Sequence, residues 1–167
     1  MGAVPPKNMK KHIIIPLGVL VLSLCIISCQ KDEETNATIL PEMEQEIYEL
    51  VNAHRDSTGL PALIMDSFIA EEARNHSVNM AKGITPFGHD GFNERATRIF
   101  SELEGEVVGE NVAEGNYPDA WSYVDSWLNS PSHKENIEKD YNYTGIGVAK
   151  ADNNQTYCTQ IFLKKQL

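Results

Sequence analysis

The chain has 167 residues, 24 Asp+Glu against 14 Lys+Arg, and only 3 Cys. A formal charge of −10 repels polyphosphates and anionic headgroups, which puts nucleic-acid binding last among candidate functions. Hydrophobic residues make up 41% of the chain, too many for a disordered tail, and a single long apolar run excludes a multi-span membrane protein.

That run is Ile13 to Ser28, preceded by Lys10, Lys11 and His12, the layout of a secretory signal. Its length would only marginally span a bilayer. Ile26-Ile27-Ser28-Cys29 resembles a bacterial lipobox, in which a branched residue at −3 and a small one at −1 precede a Cys that takes a diacylglycerol. The alternative is an uncleaved anchor with an incidental Cys. Met9 opens the basic start, so Met1–Asn8 reads as an upstream mis-start.

Residues 1–29 are therefore expected to be a lipoprotein signal peptide ending at Cys29, the lipidation site. Lys7, Lys10 and Lys11 leave with it and no acid does, so residues 30–167 carry 11 Lys+Arg against 24 Asp+Glu, a net −13. That length suits one domain. The run Gln30-Lys31-Asp32-Glu33-Glu34 lacks Asp directly after the Cys, which looks like an outer-membrane sorting choice, and also resembles a surface-export signal of some Gram-negative lipoproteins. Residues 30–40 read as a flexible acidic tether, and 41–167 as the folded domain. Several acyl chains on one Cys hold such a domain at the membrane while it stays in water. Cys158 is then the lone Cys of the domain, placed in an alternating apolar segment and expected in the core.

Met43, Ile47, Leu50, Val51 and His54 recur at helical spacing from Pro41 to about Ser57, and Gly59 and Pro61 stop that helix. Asp66 or Ser67 caps a second, to about Lys82, with Ile69, Ala73, His76 and Met80 inside and Gly83 at its end. A third runs from Asn93 through Ile99, Phe100 and Leu103. Pro118 opens a fourth, with Trp121, Val124, Trp127 and Leu128 on one side; both Trp are expected in the core. A short turn of helix covers Ser132–Ile137. Val107, Val108 and Val112 suggest a short strand near Gly109. Tyr143–Ala149 and Thr156–Leu163 alternate as strands around the hairpin residues Asp152, Asn153 and Asn154. Helices that precede a clear hairpin favour a layered α+β domain with an antiparallel sheet.

Four histidines fall in the folded part. His54 and His76 continue apolar stripes and read as buried, hydrogen-bonded structural imidazoles. His89 lies in the turn-rich Thr85-Pro86-Phe87-Gly88-His89-Asp90-Gly91, and His133 at the loop-to-helix junction Ser130-Pro131-Ser132-His133. Between them stands Gly109-Glu110-Asn111-Val112, a carboxylate in an apolar segment. Two imidazoles and one carboxylate could hold a divalent transition metal with a position left open, or could form a polar hydrogen-bonded cluster. No HExxH or CxxC pattern gathers ligands locally, so the fold must do it.

Gly109-Glu110-Asn111-Val112-Ala113-Glu114-Gly115, then Trp121 and Trp127-Leu128-Asn129-Ser130-Pro131-Ser132-His133-Lys134-Glu135-Asn136-Ile137, then Gly145-Ile146-Gly147-Val148 and Tyr157-Cys158-Thr159-Gln160-Ile161-Phe162, resemble the CAP superfamily in its order. This family joins cysteine-rich secretory proteins, antigen 5 and pathogenesis-related proteins, and its module is also called the SCP domain. Val51-Asn52-Ala53-His54-Arg55, Gly59-Leu60-Pro61 and Ala73-Arg74-Asn75-His76 agree at the N-terminal end, so the likeness spans about Glu44 to Leu163.

The resemblance implies a three-layer α-β-α sandwich with a central, mainly antiparallel sheet. It also implies a cleft of two His and two Glu. By motif, three of the four map to His89, Glu110 and His133, and Ser130 stands where the second Glu belongs, with Asp125 as a possible substitute. Those three are the expected ligands of a divalent metal such as Zn²⁺, and Glu110 is the one candidate catalytic residue. Asn111, Ser130 and Asn136 are expected to support the cleft. Relatives of this family are linked to lipid, small-molecule and protein binding. The favoured expectation is therefore a tethered ligand-binding module of the cell envelope. The alternative is a metal-dependent hydrolase acting on extracellular peptide, ester or cell-wall substrates; one carboxylate cannot easily be both ligand and base.

Overall fold

In the computed structural model, residues 1–2 and 36–166 are described; the signal segment, Cys29 and most of the tether lie outside them. In chain order the elements are β1 (Ala37–Ile39), α1 (Pro41–Ser57), β2 (Ile64–Met65), α2 (Ser67–Ala81), α3 (Phe92–Leu103), β3 (Gly105–Gly115), α4 (Ala120–Leu128), α5 (Pro131–Glu138), β4 (Tyr143–Ala151) and β5 (Thr156–Lys165).

The strands form one sheet in the order β1-β4-β5-β3, with β2 also paired to β4. All pairings are antiparallel except β2 with β4. Because side chains alternate across a sheet, the register assigns its two faces. Ile146, Val148, Cys158 and Phe162 join Ile47 and Val51 of α1, Val124 and Trp127 of α4 and Ile137 of α5 in one cluster. Ile161 and Leu163 point the other way, onto Ile69 and Ala73 of α2 and Ile99 of α3. The result is the α-β-α sandwich expected from the sequence. Cys158 is fully buried in the first layer.

The motif Gly145-Ile146-Gly147-Val148 has a steric cause. A Cβ on Gly145 would stand 2.2 Å from the backbone nitrogen of Ala70, and one on Gly147 2.1 Å from that of Arg74. Helix α2 thus rests its own backbone on β4, closer than any side chain allows. Ser77 Oγ confirms the approach by donating to the Gly147 carbonyl at 2.9 Å. On the opposite edge of β4, where neither β1 nor β2 reaches, the carboxylate of Glu44 accepts from Val148 N–H at 3.1 Å and is itself held by Arg74. A buried carboxylate replaces a missing strand there, satisfying a backbone donor that would otherwise be unpaired.

Four local expectations are corrected. Ala37–Ile39 lies inside the span read as flexible tether, yet it pairs with Ala149–Ala151 as β1; its Ala-Thr-Ile alternation is short but sits against an open sheet edge. Helix α3 starts at Phe92 behind Gly91, whose φ of 73° only glycine adopts freely, rather than from an Asn93 cap. Helix α4 starts at Ala120 under Asp119, which accepts from Ser122 N–H at 2.9 Å, and Pro118 stays outside. Trp121, expected in the core, is 55% exposed, whereas Trp127 is fully buried. The two are six positions apart, too far round the helix to share one face.

Candidate functional site

Strand β3 ends the sheet on one side. It is longer than its valines suggest because Glu110, Asn111 and Glu114 are polar members of the ladder. Glu110 stands opposite Ile161 and so faces α2 and α3, while Asn111 stands opposite Gln160 and faces α5. Neighbouring residues of one edge strand therefore serve both layers.

On the first side, the loop between α2 and α3 brings His89. Gly83, Gly88 and Gly91 all have positive φ, so the loop turns where a side chain would strain it. His76, 2% exposed on α2, donates from Nε2 to the Gly88 carbonyl at 2.8 Å. Arg95 donates from Nη1 to the Asp90 carbonyl at 2.7 Å. His89 is held between these two anchors. Its Nδ1 meets Glu110 Oε1 at 2.9 Å, and because a carboxylate only accepts, Nδ1 carries the hydrogen; in the neutral ring Nε2 is then the nitrogen with the lone pair. The imidazole is 53% exposed while the Glu110 side chain is 1% exposed.

The buried carboxylate has a second, stronger partner. Arg95 donates from Nε to Oε2 at 3.0 Å and from Nη2 to Oε1 and Oε2 at 2.9 and 2.8 Å. This fork-to-fork pair occupies the lone pairs of Glu110 that His89 leaves. Nothing singled out Arg95 in the sequence. The signal was present: it lies four residues before Ile99, so its phase puts a cation in the buried stripe of α3.

On the second side, Pro131 opens α5 and presents His133 half-buried. Asn111 Nδ2 donates to the His133 carbonyl at 3.0 Å. Asn136 Nδ2 donates to Asn111 Oδ1 at 2.9 Å and to the Glu110 carbonyl at 3.2 Å. Two amides thus weld α5 to β3 at the height of Glu110. The far end of α5 is fixed by buried Arg55, which donates to the carbonyls of Ile137, Lys139 and Tyr141. Burial and then the nearby charge of His89 hold His133 below the ordinary imidazole pKa, so the two rings sense each other across the β3 edge.

The structure thus brings His89 and Glu110 into contact and ties His133, through its carbonyl, to Asn111, the next residue of β3, on the opposite layer. Among the described residues no group of three His, Cys, Asp or Glu side chains stands ready to hold a metal ion. The carboxylate of Glu110 is moreover committed to the Arg95 guanidinium. Ser130 Oγ lies 3.5 Å from Ser132 Oγ and makes no hydrogen bond to His133, and Asp125 is on the exposed side of α4. His54 sits outside the cleft against Glu138 at 2.9 Å.

The profile of the cysteine-rich secretory protein family, CAP, matches residues 48–162, which include every cleft residue above. The chain belongs to the CAP family. It is 35% identical over 128 residues to membrane protein YlbC of Bacillus subtilis strain 168, covering 73% of this chain and 34% of that protein. An extracellular SCP-domain protein of Bacillus anthracis superposes with a TM-score of 0.65 at 29% identity, over 75% of this chain and 41% of its own. An outer surface protein of Borrelia burgdorferi shares the fold, with a TM-score of 0.66 at 21% identity, over 79% of this chain and 99% of its own. The chain spans about a third of YlbC, so the additional parts of that protein have no counterpart in the matched region.

Proposed function

We propose that this CAP domain is an extracytoplasmic binding module, tethered to the membrane through an acylated Cys29, and not a hydrolase. Extracellular and outer-surface relatives support the compartment. The observation that carries the binding reading is the state of Glu110. A general base must present a free lone pair to a water or substrate; this carboxylate is buried, and Arg95 and His89 take its oxygens. Glu110 instead fixes the tautomer and aim of His89, the part a carboxylate plays behind a ligating or ligand-binding imidazole.

The residues that would hold a divalent transition metal in the cleft are the two imidazoles, His89 through Nε2 and His133, with Glu110 behind the first. Such an ion would supply a Lewis-acidic anchor for an anionic or carbonyl group of the ligand. The side chains of this chain do the rest: Asn111 and Asn136 hold α5 in place, and Arg95 holds the Glu110 side chain inward. Glu110 is therefore an orienting group in this reading.

Calorimetric Zn²⁺ titration, run beside turnover assays on peptide, ester and cell-wall substrates, tests the proposal. His89→Ala and His133→Ala should abolish Zn²⁺ uptake, and Glu110→Gln should weaken it by about 10-fold or more without abolishing it. Turnover that stops on chelation and in Glu110→Gln would overturn the binding reading. For the tether, Cys29→Ser should release the protein from membranes and remove acyl label.

A further inference from the structure

The loop that follows α2 carries two apolar side chains that the domain leaves outside: Ile84 is 66% exposed and Phe87 46%. The loop is tied down all the same. Gly83 and Gly88 turn it at positive φ, the N–H groups of Ile84 and Thr85 both donate to the Asn79 carbonyl, and His76 holds the Gly88 carbonyl. Single apolar side chains are ordinary on a protein surface, but two on one fixed loop call for an occupant. The charge pattern is also local. Residues 73 to 89 contain no Asp or Glu in a chain that has 24, and Lys82 stands exposed at the base of the loop.

The place of the loop in the fold selects that occupant. Ala37, where the chain enters β1, packs with Val78 and Ala81 at the end of α2, and Asn36 N–H donates to Asp152 at 3.1 Å. The loop leaves from the same last turn, since Gly83 N–H donates to the Met80 carbonyl. Entry point and apolar loop therefore share one end of the sheet, and the opposite end holds Gly105, Tyr143 and Lys165. Asn36 stands seven positions after Cys29, a span of at most about 25 Å. A domain of this length is about 35 Å across. An anchor at Cys29 thus keeps the entry end toward the bilayer, and the far end cannot lie flat on it. We propose that Ile84 and Phe87 insert into the interfacial layer of the bilayer that holds the acylated Cys29, an inference that rests on that anchor. The apolar pair enters the acyl boundary, Lys82 reaches the phosphates, and the acid-free stretch keeps like charge away from them. Two side chains alone would hold a free domain poorly, but the anchor makes their contact intramolecular and its effective concentration high. His89 follows Phe87 by two residues, so this pose sets its imidazole close to the headgroups.

The test uses the full acylated chain in phosphatidylcholine vesicles, with Phe87→Trp as reporter in a Trp121→Phe background; Trp127 is fully buried and stays constant. Flotation with the vesicles measures the anchor. Quenching by phosphatidylcholine brominated on its acyl chains measures the loop. The Phe87→Trp chain should float, be quenched by the brominated lipid and be shielded from iodide. Val107 is 42% exposed at the far end of the sheet, and a Val107→Trp chain should float but escape the brominated lipid. Adding Ile84→Glu to the first reporter should remove most of its quenching and leave flotation intact, because Ile84 is exposed and takes no part in the core. A chain that floats with an unquenched Phe87→Trp overturns the docking and leaves the anchor standing. Equal quenching of the two reporters overturns it as well, and so does a blue-shifted indole that brominated lipid does not reach, since protein would then cover the loop. Failure of every variant to float refutes the anchor and, with it, this pose.

Discussion

Arg95 and Glu110 form a buried, forked ion pair that joins α3 to the edge strand, with side chains only 7% and 1% exposed. Removing one member of such a pair strands the other, because desolvation is no longer offset by attraction. Arg95→Gln is therefore expected to cost about 3–5 kcal/mol in urea unfolding, as is Glu110→Gln to a lesser degree since its amide keeps hydrogen bonds. The double variant should lose clearly less than the two single losses together. Strict additivity would mean that the pair is not coupled in solution.

The seat of α2 on β4 makes a second prediction. At Gly147 an added methyl would meet backbone atoms of Ala73 and Arg74, which cannot rotate away as a side-chain tip can. Gly147→Ala should lift the helix and cost about 3 kcal/mol or more, above the usual range for overpacking a flexible core. Thermal unfolding would show the loss, and amide exchange should speed up along α2 and at Val148. Gly59→Ala is the contrast: its φ of 77° makes it strained, but open space surrounds it, so only a local cost of about 1–2 kcal/mol is expected.

Much of this architecture could be read from the chain, and the failures have specific causes. The apolar stripes of α1 and α2 and the alternation of β4 and β5 are dense and local, so periodicity found them. Strands β1 and β2 have three and two residues and form only because β4 has an open edge, which no local pattern states. The cleft was legible as motif, since His89, Glu110, Asn111, Asn136 and His133 each stand in a recognisable run. Their mutual roles were not. Whether a carboxylate coordinates or is claimed by a cation depends on Arg95, fifteen residues away in sequence, and the two faces of β3 emerge only from the register with β5. Trp121 was misplaced because its helix is short, and an aromatic at its first turn can face either neighbour helix or water.

The charge that His89 presents to His133 yields a third prediction, readable by NMR. In the intact protein His133 should titrate below the ordinary imidazole value, first because burial disfavours its cation and then because His89 adds a like charge. His89→Gln removes the second cause only. The His133 pKa should then rise but remain depressed. A His133 that titrates identically in the variant would separate the two rings and dissolve the shared cleft.

Acid stability supplies the last prediction, and it turns on His76. This imidazole is buried beneath the loop that carries His89; burial depresses its pKa, the charges of Arg95 and His89 act the same way, and the Gly88 carbonyl and Glu110 act against them. A histidine with a lowered folded pKa binds its proton more readily in the unfolded chain. Stability is then complete above the unfolded value of about 6.5 and declines as pH falls through it toward the folded pKa. His133 contributes with the same sign. Asp119 has a depressed pKa too, but as a carboxylate it matters only below about pH 4, outside that window. Urea unfolding between about pH 7.5 and 5 should therefore show stability falling with acid. His76→Gln, which keeps a side-chain donor for Gly88 but cannot titrate, should show a flatter slope, whatever it loses at pH 7. Stability that rises on acidification, or an unchanged slope in the variant, would mean that His76 is not a buried neutral anchor of the loop.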